Sequence, residues 1–334
     1  MLLKNALLLI FFTSVSVTAA TEKDWSAPLH SAQLLLEAGD YTSARPLFTE
    51  QAQRGNGLAQ FTLGLFYQLG WGVNVSPKQS CDWFRLAAEN QIPVAQEQLG
   101  YCYWHDHFAT AEQRLAFRWF EQAYQAGVLS AGCAMGKLLV EGKYVAPDLY
   151  KGVQLCQQAA VAGATAAQLQ LAKWLLEGQV LQQDATQAMY WFDQAANNHN
   201  AEAAYYLAQF YDTGTVAPQD TQQALQWYHT AAKAGVVAAY LPTAALYFAQ
   251  YQTAAEQQQT EQLAKHKATL LAQAYVWAFA AIQQLPPAHQ NYTQANTLLK
   301  HISLFISPSG QEVLQLKTRE QLKKVQPITL HLSE

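Results

Sequence analysis

The chain has 334 residues, of which 51% are hydrophobic, 12% aromatic and only 13% charged, with a formal net charge of −4. A chain this apolar buries too much surface to be disordered. With a negative balance and no Lys/Arg cluster, it also lacks the electrostatic footprint of a nucleic-acid binder. In chain order, residues 1–20 come first: one charge, Lys4, then the apolar run Ala6 to Phe12, then small residues at Val17-Thr18-Ala19-Ala20. That order is the order of a secretory signal peptide. The apolar run is too short to span a bilayer comfortably. Cleavage is expected after Ala19 or Ala20, leaving no transmembrane segment and no cysteine near the cut to carry a lipid.

Residues 21–58 read as an N-terminal, degenerate capping helix pair, with Ala44 and Phe48 in register with later alanine and aromatic positions. From Ala59 a period of 36 takes over: Ala59, Ala95, Ala131, Ala167 and Ala203 open five units, and Ala239 continues the column. Four residues later stand Leu63, Leu99, Met135, Leu171 and Leu207, and next to them Gly64, Gly100, Gly136, Ala172 and Ala208. A later column holds Trp83, Trp119, Leu155, Trp191 and Trp227, each followed four residues on by alanine. A fixed period of this length is the mark of a repeat architecture.

Each unit predicts two antiparallel helices. The first stops at Gly70, Asp106, Gly142, Gly178 or Gly214, since glycine tolerates the left-handed position after a helix. The second starts at Ser76, Glu112, Asp148, Asp184 or Asp220, most of them good N-caps. Gly127, Gly163 and Gly235 end it, and Gln91 and His199 depart from that rule. Spacing assigns the Trp column to the core. After Ala239 the register is expected to break. Residues 240–334 then form a C-terminal degenerate repeat and helical cap, with helices over Ala268–Leu285, Ala288–Ile302 and Ser309–Lys324. The fold class is all-α: a right-handed α-solenoid of 36-residue antiparallel helix-pair repeats with atypical capping units.

The pattern resembles the Sel-one-like repeat family, relatives of the tetratricopeptide repeats. The residues that carry the likeness are Leu63-Gly64 with Tyr67, Leu99-Gly100 with Tyr103, Gly70-Trp71-Gly72-Val73, and the helix half Ala224 to Gly235. The resemblance covers 59–239 clearly and 27–285 loosely. It implies an α-solenoid that scaffolds protein–protein contacts, in bacteria often at the cell envelope. By the same analogy, first helices line a concave partner-binding groove. Its residues would be Phe61, Leu65, Glu97, Tyr101, Lys137, Leu169, Lys173, Tyr205 and Gln209, a mix of anchors and charge suited to a peptide.

Cys81, Cys102, Cys133 and Cys156 are disulfide candidates, because an exported chain permits bridges. In a stack of such units, joining Cys81 to Cys133 or Cys156 would skip a repeat, too far for paired cysteines. Only Cys81–Cys102 with Cys133–Cys156 remains. His105-Asp106-His107 has ligand chemistry, but its spacing fits no known metal site, and a solvated loop is expected. No local nucleophile–base, phosphate-loop or dinucleotide motif appears, so no enzyme activity, metal or cofactor is expected. The functional expectation is an exported, periplasmic scaffold for an unidentified envelope protein or peptide. A regulator or inhibitor of a cell-wall enzyme is the nearest alternative, and a weak hydrolase of a small envelope substrate the alternative of another class.

Overall fold

The computed structural model describes residues 26–105, 107–108, 114–255, 260–325 and 328. The expected signal segment, Asp106 and Glu112 lie outside them. Among the described residues there are sixteen α-helices, two short 3₁₀ turns and no strand beyond an isolated bridge between Val236 and Ile328. The chain divides into two compact units, one up to Ala162 and one from Gly163 on.

The first unit holds a short pair, α1 (His30–Ala38) and α2 (Tyr41–Gln53), followed by three repeats. These are α3 (Gly57–Leu69) with α4 (Pro77–Glu89), α5 (Pro93–Trp104) with α6 (Arg114–Gln125), and α7 (Leu129–Glu141) with α8 (Leu149–Val161). The second unit continues with α9 (Thr165–Glu177) and α10 (Ala185–Asn197), then α11 (Ala201–Thr213) and α12 (Thr221–Lys233). It ends with α13 (Tyr240–Ala255), α14 (Glu261–Gln284), α15 (Gln290–Ser303) and α16 (Pro308–Leu322). Within each unit consecutive helices pack against one another, as α7 on α8 and α13 on α14.

The loops repeat at the level of single hydrogen bonds. Side chains of Ser76, Asp148, Asp184 and Asp220 accept first-turn N–H groups of α4, α8, α10 and α12. The backbone N–H of each of these four donates to a carbonyl near the end of the preceding helix, Tyr67, Leu139, Leu175 or Tyr211. Asp40 caps α2 in the same way, so the column reaches back into the short first pair. Gln91 and His199 do not depart from the helix ending. They adopt φ of 60° and 64°, the left-handed conformation that Gly127, Gly163 and Gly235 adopt at the matching places. The N–H groups of Gln91 and Ile92 reach back to the carbonyls of Ala88 and Ala87, and those of His199 and Asn200 to Ala196 and Ala195. This Schellman closure demands the left-handed residue whatever its side chain.

The core corrects the Trp assignment. Trp83, Trp119, Trp191 and Trp227 are only half-buried, and the ring one residue later is the one enclosed. Phe48, Phe84, Phe120 and Phe192 are at most 1% exposed, and Tyr228 is 4% exposed. The glycine column makes room for this ring. A methyl group at Gly64 would stand 2.3 Å from Phe84, and one at Gly100 would stand 2.6 Å from Phe120. Trp83 and Trp119 instead pack back on the core clusters of the preceding helix pair.

The register also persists past Ala239. Ala239, in the 3₁₀ turn just before α13, and Thr243 and Ala244 in its first turns continue three columns and are all fully buried. The helix expected from Ala268 begins at Glu261, and α13 runs to Ala255. No described helix is long and apolar enough to cross a membrane.

Candidate functional site

The first helices carry the residues expected to line a groove, and the two units hold separate sets. In the first unit, Phe61 and Glu97 are buried, at 6% and 9% exposure, rather than outward. Phe61 lies 5.6 Å from the ring of Phe84. Burial pushes the Glu97 carboxyl above its usual range, partly countered by a hydrogen bond from Ser130. Both belong to the floor. A first helix is covered on more than one side, by its own partner and by the preceding second helix, so its outward face is narrow.

What does reach the surface is an aromatic shelf at the end of α5. The rings of Tyr101, Trp104 and His105 lie nearly parallel, 5.8–6.3 Å apart, and Tyr101 meets Phe120 edge-on at 4.9 Å. Lys137, from α7 of the next repeat, places its Nζ 4.8 Å from the Trp104 ring centre, within cation–π range. Burial, and the neighbouring charges of His107 and Lys137, hold His105 below the usual imidazole range. Leu65 is half-buried against the cluster around Phe61 and Phe84. Trp104 and His105 were missing from the expected groove. The available signal was helical spacing, since i, i+3 and i, i+4 from Tyr101 share a face.

In the second unit, Lys173 and Glu202 form an ion pair at 2.5 Å between α9 and α11, with the ammonium 5.9 Å from the Tyr206 ring. Burial and nearby carboxylates push the Tyr206 phenol up to about 12. Tyr205 is 6% exposed, not outward, and its hydroxyl accepts from Gln209 at 3.2 Å. Leu169 is half-buried on α9. Glu202 and Tyr206 were not among the expected residues.

The cysteines are joined as Cys81–Cys102, across α4 and α5, and Cys133–Cys156, across α7 and α8. Cys133, 36 residues after Glu97 and so in the same column, is 4% exposed and turned inward. His105 and His107 have ring centres 6.0 Å apart. Among the described residues no three His, Cys, Asp or Glu side chains gather as a metal site would need.

A search of the curated proteins finds no match. Among solved structures the chain is similar to a Sel1 repeat protein from Oxalobacter formigenes, at 25% identity and a TM-score of 0.56, covering 82% of this chain and 99% of that one. It is also similar to c5321, a protective antigen present in uropathogenic Escherichia coli strains and displaying an SLR fold. There identity is 20% and the TM-score 0.41, over 93% of this chain and 89% of that one. A third likeness is to immunity protein Pa5087 from Pseudomonas aeruginosa, at 16% identity and a TM-score of 0.45, over 64% of this chain and 83% of that one. The Sel1 repeat itself matches residues 57–91, 93–128, 131–163, 165–200 and 201–236. Its fold is a protein–protein interaction scaffold. The five matches cover more than half of the sequence, and the chain belongs to the Sel1 repeat family.

Proposed function

We propose that this protein is an exported scaffold, periplasmic in a Gram-negative cell, that holds a partner protein of the cell envelope against the outward faces of its first helices. The observation that carries the reading is the shelf of Tyr101, Trp104 and His105 with Lys137 over its edge. Half-buried aromatic rings beside a cation offer an extended segment both an anchor and a charge that fixes its direction. Export is supported by the charged, apolar, small-residue order of residues 1–20 and by two disulfides, which persist in oxidising compartments.

The test begins with a photo-reactive phenylalanine at position 101 in living cells, to trap and identify the partner. Binding of the purified partner is then measured with Lys137→Glu and Trp104→Ala. Each should weaken it by about 1–2 kcal/mol, roughly tenfold. Wild-type affinity in both variants would overturn the assignment of this face. Full-length protein retained in the cytoplasm would overturn the export reading independently.

A further inference from the structure

The second unit holds a half-open pocket that the partner-binding reading does not use. It lies between the end of α12, the middle of α14 and α16, and has a volume of about 550 Å³, within the ~300–1,000 Å³ common for small-molecule sites. Tyr240, Val276, Trp277 and Leu314 give it apolar walls. Its charged lining is all of one sign: Lys233, Lys317 and Lys324, with no aspartate or glutamate. In a chain of net charge −4 this is a local reversal. Neither hydrogen bond nor ion pair occupies these three ammonium groups among the described residues. The wall also holds a stranded donor. The Trp277 indole N–H is buried with no acceptor, its ring lying between those of His229 and Tyr240 at 5.6 and 5.4 Å. Burying a donor without a partner is costly, but this nitrogen has no exposed surface, so the lysines alone face an incoming anion.

We infer that this pocket binds a small apolar carboxylate: a hydrocarbon body against Tyr240, Val276, Trp277 and Leu314, with the carboxylate met by the lysines. Charge complementarity selects the anion, and the apolar walls select the body. No arginine lines the pocket, so the planar fork that favours bidentate phosphate recognition is missing.

Decanoate is the probe, and 1-decanol, of equal chain length and no charge, is the control. Both are titrated calorimetrically into the full exported chain. Decanoate should bind saturably at one site and at least about tenfold more tightly than 1-decanol, the difference a charged hydrogen bond supplies. Lys233 and Lys317 are exposed, so Lys233→Glu with Lys317→Glu leaves the packing intact. That double variant should lose at least about tenfold for decanoate and nothing for 1-decanol. Absence of saturable binding, equal affinity for the two probes, or wild-type decanoate affinity in the lysine variant would each overturn the inference.

Discussion

Repeats three and four follow the same helix–loop–helix path and draw their two helices together by different means. In repeat three the contact is backbone on backbone. A methyl group at Gly136 would stand 2.4 Å from the carbonyl oxygen of Gly152, and the ring column is occupied by Cys156, bridged to Cys133. In repeat four the same two places hold Ala172 and the fully buried ring of Phe192, with no disulfide. Phe192 stacks on Tyr206 of the following helix pair at 4.7 Å. One repeat is closed by covalent and backbone proximity, the other by side-chain volume, and mutations should separate the two.

The largest effect is expected in repeat four. Phe192→Ala should lower unfolding free energy by about 3–5 kcal/mol, because an enclosed ring leaves a cavity. Trp191→Ala, beside it but half-buried, should cost only about 1–2 kcal/mol. Urea unfolding of the two variants compares them directly, and an equal loss would return the Trp column to the core. Next comes repeat three, where replacing Cys133 and Cys156 together by alanine should cost about 3 kcal/mol in the chain-entropy model. Reducing agent should then produce no further loss from that bridge.

A smaller effect tests the backbone contact. Gly136→Ala should destabilise by about 1–3 kcal/mol, since the clash is with a carbonyl that no rotamer change relieves. The mirror change, Ala172→Gly, should cost about 1 kcal/mol through helix propensity alone. Thermal midpoints of the pair decide whether the two repeats are packed as differently as they look. The smallest change should be a gain. His199 holds a left-handed φ of 64° with an exposed side chain, and His199→Gly should raise stability by about 0.5–1 kcal/mol.

The period, the caps and the helix pairs were legible because each rests on local chemistry repeated every 36 residues. An acidic cap or a stop glycine announces itself without its neighbours. The buried face did not announce itself. In four repeats both members of an adjacent pair are aromatic, 83 with 84, 119 with 120, 191 with 192 and 227 with 228, so periodicity could not say which ring points inward. The glycine opposite admits Phe84 or Phe120, and that pairing is tertiary. The groove suffered for a related reason. Phe61, Glu97 and Tyr205 read as outward when a helix is imagined with one partner, but the first helices have more than one. Lys137 over Trp104 joins two repeats and left no trace in either one alone.

The two disulfides act on different terms of a repeat array. In a nearest-neighbour description, stability is a sum of one intrinsic contribution per repeat and one coupling per junction. Cys133–Cys156 lies inside a repeat and strengthens an intrinsic contribution, whereas Cys81–Cys102 spans a junction and strengthens a coupling. Reduction of the inner bridge softens repeat three as a segment of the row. Reduction of the junction bridge leaves each repeat as sound as before but lets repeat one part from repeat two. Fraying that begins at the N-terminal end therefore meets a covalent stop at that junction, and the aromatic shelf on α5 stands on the protected side of it.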